Sequence, residues 1–138
     1  MTRIHEVVGF LVVGLFAVGM LWGLGAWIAR RGPGDKFWWW LTAVQVALGI
    51  EVLVGGVLFV TGHRVVTGGS LSRSLHYVYG GLPILLLAFA HAIAREGNAA
   101  IVGLNPARRI APWVPFAWAA FICFGLTLRA LMTGLGVG

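Results

Sequence analysis

Apolar residues run through this chain in four long blocks, and the polar residues gather in the gaps between them. The blocks cover about residues 5–29, 37–61, 75–94 and 113–132. Each reaches the roughly 20 residues with which a helix crosses a hydrocarbon core of about 30 Å. Short connections separate them. The pattern predicts an all-α fold, a four-helix transmembrane bundle in up-down-up-down order, and a single integral membrane domain over 1–138.

The punctuation supports those limits. Arg3 ahead of the first block is also what a signal peptide would show. The apolar core of the block, however, far exceeds the 7–15 residues of a signal sequence, and Arg30-Arg31 follow it directly, so it is read as a retained helix. Gly19 and Gly23 form a GxxxG within it, a spacing that lets helices approach closely. Residues 31–36 read as a turn, and the aromatic run Phe37-Trp38-Trp39-Trp40 beside Lys36 reads as an interfacial belt. Glycines and serines over 62–74 predict an irregular connection, and 95–112 a longer loop. Pro115 falls in the first turn of the fourth block, where proline is tolerated.

Composition sharpens the class. Of 138 residues, 59% are hydrophobic and only 10% are charged, against about 25% charged in soluble domains. The net charge of +6 would suggest nucleic acid in a soluble chain. Here the basic residues flank apolar blocks, so they serve topology and lipid headgroups, and no nucleic-acid partner is expected. The single Cys123 excludes an intrachain disulfide and a CxxC site. Six basic residues (Arg30, Arg31, Lys36, Arg95, Arg108, Arg109) lie in the gaps after blocks one and three, against four (Arg3, Arg64, Arg73, Arg129) at the other side. The positive-inside rule then puts both termini outside an inner or cell membrane.

Ionisable residues at membrane depth cost about 2.5–3.5 kcal/mol each on insertion scales, so each needs a reason. His5 and His76 head the first and third blocks, and they fall at matching depths near the outer face. Two such imidazoles suit the axial positions of one haem iron; the alternative is a pair of interfacial residues solvated by headgroups. His63, in the outer connection, is a further candidate partner. His91 lies fifteen residues beyond His76, about 22 Å along a helix and about 60° around it. Met20 stands at the same offset from His5, so His91 and Met20 are candidates for a second haem, with a histidine bonded to protein and a methionine filling space as the plainer alternative. Glu51 and Arg129 are expected at similar levels, which permits an intramembrane ion pair. Arg129, Arg73 and Arg64 are alternatively placed to receive haem propionates. Glu51 is also a candidate proton carrier or quinone contact, and Gln45 a candidate for an interhelical hydrogen bond. No GxSxG, HExxH or phosphate-binding glycine loop occurs, so any chemistry belongs to a cofactor.

One order of residues resembles a known family. A histidine heading helix one, the phrase Val44-Gln45-Val46-Ala47-Leu48-Gly49 in helix two, and Leu75-His76 heading helix three are similar to one four-helix half of heme A synthase, where Gln-x-x-Leu-Gly lies between two helix-initial histidines. The wider group is the four-helix membrane cytochromes of b type. The resemblance spans roughly 3–95 and implies that His5 and His76 are axial ligands of haem b. The chain corresponds to one half only, its Glu6 follows His5 instead of preceding it, and the cysteine pair of many members is absent. A haem-holding bundle is therefore expected before a synthase reaction. The overall expectation is electron transfer, with a quinone or a larger respiratory or photosynthetic complex as neighbour, and with lipids, other membrane subunits or further copies of the chain as partners. Two other classes stay open: a cofactor-free structural subunit, and a transporter lined by Glu51, Gln45 and His91.

Overall fold

A computed structural model describes residues 2–63, 70–96 and 110–136. They form four helices, α1 (Thr2–Ile28), α2 (Lys36–Val60), α3 (Ser70–Glu96) and α4 (Trp113–Gly134), with no strand among the described residues. All four are long and apolar enough to cross a membrane. Even the shortest, 22 residues in α4, extends about 33 Å at 1.5 Å per residue, matching the hydrocarbon thickness. The outer faces carry large apolar side chains, with Leu53 at 72% exposure and Val60 at 84%. Water would penalise such a surface, whereas acyl chains accept it.

The start of α1 meets the end of α2, the start of α3 meets the end of α4, and the starts of α1 and α3 meet each other. Successive helices are therefore antiparallel, in the expected up-down-up-down order. Around the bundle α2 packs on α1, α1 on α4 and α4 on α3, while α2 and α3 scarcely touch. That leaves one side open. Two side-chain pairs bridge it: Phe59 and Tyr77 with ring centroids 5.2 Å apart, and Gln45 with His91 at 2.6 Å.

Sequence explains which faces go inward. On α2 the buried positions Phe37, Trp40, Leu41, Val44, Ala47 and Leu48 recur every three or four residues, one stripe of a 3.6-residue helix. On α4 the stripe is mostly small, through Ala119, Ala120, Cys123, Thr127 and Ala130, which lets α1 and α3 pack closely where lipid supplies no hydrophobic drive. The GxxxG of α1 serves two neighbours at once. A Cβ at Gly19 would overlap the indole of Trp40, and one at Gly23 would come within 2.7 Å of Ala117 on α4.

Two expectations need correction. The α3 helix begins at Ser70, five residues before the apolar block, and ends at Glu96. The polar turn 70–74 contains neither glycine nor proline, so the helix continues beyond the apolar block instead of stopping where hydrophobicity stops. The aromatic run is also not simply a belt. Trp39 is 78% exposed, but Phe37 is fully buried and Trp40 is 8% exposed, with its indole Nε1 donating to the Leu15 carbonyl at 2.9 Å.

Three helices close on a left-handed residue. After α2 and α4 this residue is Gly62 (φ 81°) and Gly136 (φ 74°), the usual choice. After α1 it is Arg30 (φ 53°), whose amide bonds Trp27 while the Arg31 amide reaches Ala26, both at 3.1 Å. A non-glycine residue there carries a penalty of about 1–2 kcal/mol.

Candidate functional site

The starts of α1 and α3 lie diagonally across the bundle, and their histidines meet. The rings of His5 and His76 have centroids 6.1 Å apart and planes at 78°. Because α3 starts early, His76 is not at a helix head; it lies almost two turns inside α3. Both rings are only partly exposed.

Each imidazole is held through its Nδ1. His76 Nδ1 lies 2.9 Å from the carbonyl oxygen of Ala130 on α4, so as an N–H it donates to that carbonyl. His5 Nδ1 lies 3.0 Å from Glu51 Oε1 on α2, with the two side chains 25% and 18% exposed. That is contact distance, but it is off the direction a hydrogen bond requires, and His5 Nδ1 and Glu51 Oε2 are both buried without a directed hydrogen-bond partner.

Glycines make room for this arrangement. A Cβ at Gly55 would sit 3.3 Å from His5 Cε1, and one at Gly134 3.1 Å from His76 Cε1. At Gly9 it would sit 3.1 Å from Glu51 Oε1. Larger residues at these positions would push the rings or the carboxylate aside. In the sequence these glycines look like the ordinary glycine content of membrane helices, and nothing there marks them as part of a site.

The ion pair expected between Glu51 and Arg129 does not form. Glu51 turns to His5, and Arg129 is exposed. The level match was sound, but equal height around a bundle does not fix which face a side chain takes. Arg129 precedes Ala130, the residue that holds His76, and the half-buried Arg73 lies one turn before His76 on α3, so both guanidinium-bearing residues stand at the histidine level. Arg64 lies outside the described residues, and His63 pairs with Thr61 Oγ1 at 3.2 Å rather than joining the two rings.

His91 is at the opposite end. Its Nε2 pairs with the Gln45 amide at 2.6 Å, the interhelical bond expected of Gln45, and its ring meets Phe116 edge-on at 4.7 Å. Its polar partner is thus an amide on α2 rather than the Met20 sulfur, and Met20 is half-buried on α1.

Imidazoles that bind metals usually donate their second nitrogen to a carboxylate or a carbonyl, which fixes the tautomer and leaves the other nitrogen as ligand. His76 meets that condition through the Ala130 carbonyl, whereas His5 Nδ1 lies beside the Glu51 carboxylate without a directed hydrogen bond. An imidazole nitrogen ligates at about 2 Å, so facing rings around one ion stand roughly as far apart as these two. Among the described residues no three His, Cys, Asp or Glu side chains converge as a metal site. Two imidazoles alone would suit a metal that brings further ligands of its own, such as haem iron. No protein-family model, curated protein or solved structure matches the chain. The likeness to a heme A synthase half rests on the short phrases themselves.

Proposed function

We propose that the chain is a membrane electron carrier of the b-type cytochrome kind, holding one haem b between His5 and His76. The observation that carries this reading is the diagonal histidine pair, 6.1 Å between centroids, with both Nδ1 atoms turned to protein. When bound, the haem supplies one-electron exchange at its iron. His5 and His76 would hold the iron, and with both imidazoles bound they would leave no position on it for water or substrate. Glu51 sets the His5 ring and raises its basicity, while the Ala130 carbonyl sets His76. Arg73 and Arg129 provide positive charge at the same level for carboxylate side groups.

Electrons would pass to and from a quinone or a membrane subunit beside the bundle. Exposed apolar faces on every helix leave ample room for such neighbours or for further copies of the chain. The test is substitution of each histidine in turn. His5→Ala and His76→Ala should each lose the bound haem, and His91→Ala should keep it. Full retention in either of the first two variants would overturn the ligand assignment. A parent protein that takes up no haem would leave the cofactor-free structural subunit as the reading.

A further inference from the structure

At the end of the bundle away from the histidines, the close of α1 and the start of α4 enclose an open cavity of about 660 Å³. Arg30, Arg31, Trp27, Gly32 and Trp113 line it. That volume is in the range of small-molecule sites, about 300–1,000 Å³. Its charge is one-sided. Two guanidinium groups border it, and the ion pair of the described residues, His5 with Glu51, lies at the other end of the bundle. Asp35, the acid nearest along the chain, makes no ion pair with either arginine. The amino end of α4 adds the positive end of a helix dipole on the same side.

The backbone singles out Arg30. At the equivalent position after α2 and α4 the chain uses Gly62 and Gly136, whereas α1 holds an arginine in the left-handed region at φ 53°. Glycine is available to this turn, since Gly32 and Gly34 follow within it. Strain kept where glycine would relieve it points to a use for the side chain. The two indoles add the second half of a recognition surface. Trp27 is 73% exposed, and Gly32 lies against Trp113, whose Nε1 would be 3.8 Å from a Cβ there. Tryptophan and arginine together at a membrane boundary match a ligand with an anionic head and an apolar body.

We propose that this cavity is a binding site for the phosphate headgroup of an anionic phospholipid. Arg30 and Arg31 fork onto the phosphate oxygens, and Trp27 and Trp113 cover the glycerol and upper acyl region. The inference is independent of the haem reading, since the cavity lies at the opposite end of the bundle from His5 and His76.

The experiment is a titration of the detergent-purified full chain with phosphatidylglycerol or phosphatidylcholine, read as bound lipid per protein by native mass spectrometry. Phosphatidylglycerol should bind more tightly by about 30-fold, the effect of two basic side chains at a membrane surface. Arg30→Gly combined with Arg31→Gln should bring it to the phosphatidylcholine level, whereas Arg95→Gln, a cation on α3 outside the cavity, should leave the preference intact. Arg30→Gly suits the backbone, so its lipid-free melting temperature should equal or exceed that of the parent, which separates lost binding from lost folding. Equal binding of the two lipids, or a preference that survives the double substitution, would overturn the proposal. Displacement of phosphatidylglycerol by millimolar inorganic phosphate would overturn the lipid assignment in favour of a soluble phosphate.

Discussion

The two histidines differ in what holds them, and that difference can be measured. His76 leans on a backbone carbonyl, which no side-chain substitution removes. His5 leans on Glu51, which can be changed. Loss of such a partner typically costs about 10- to 100-fold in metal affinity. Glu51→Gln keeps an acceptor and should lose less than Glu51→Ala, and the neutral amide should raise the haem midpoint potential because it makes His5 a weaker donor. Haem retention on dilution and a redox titration followed by absorbance check both points; unchanged retention and potential in Glu51→Ala would detach Glu51 from the site. At this scale the sequence was informative about identity and poor about partners. His5, His76, Glu51 and Gln45 stand out because polar groups are costly in lipid. That Glu51 turns to His5 instead of Arg129 depends on rotation about the helix axis, and the low contrast between apolar faces leaves that rotation unmarked along the chain. Gly9, Gly55 and Gly134, which admit the rings and the carboxylate, are invisible for the same reason.

Among the elements, α1 and α4 are the two through which the bundle coheres, since α1 packs on α2 and α4, and α4 on α1 and α3. The GxxxG of α1 was legible, but its division of labour was not: Gly19 receives Trp40 and Gly23 receives Ala117. Gly19→Ala should therefore displace the Trp40 indole, break its hydrogen bond to Leu15, and destabilise the protein by about 1–3 kcal/mol. Gly14→Ala is the matched control, because a Cβ there meets nothing within 4 Å. Thermal unfolding in one detergent checks both, and equal stabilities would remove Gly19 from the contact. The early start of α3 escaped the sequence reading because hydrophobicity marks where a membrane begins, not where a helix does. Ser70 to Ser74 is polar enough to leave the apolar region and regular enough to remain helical.

For the whole molecule, four antiparallel helices bring the start of α1 and the close of α4 to one end of the bundle and the α1–α2 turn to the other. Cys123 is buried, which clears the background for labelling. Single cysteines at Thr2 and Leu135 should react with an impermeant maleimide from the same side, and cysteines at Lys36 and Pro112 from the opposite side; termini that label from opposite sides would contradict the fold. Fold class and span number followed directly from block length and composition, because lipid permits few solutions for an apolar chain. The open side between α2 and α3 did not follow, since nothing in block length reports which neighbours pack tightly. What the bundle is for turns on the diagonal histidines. The most direct measurement is a visible absorption spectrum of the detergent-purified protein, oxidised and then dithionite-reduced, with haem quantified per chain. A Soret band, sharp α and β bands on reduction, and one haem per chain are expected. A protein that stays colourless after purification under haem-retaining conditions and after haem is offered would contradict the haem reading.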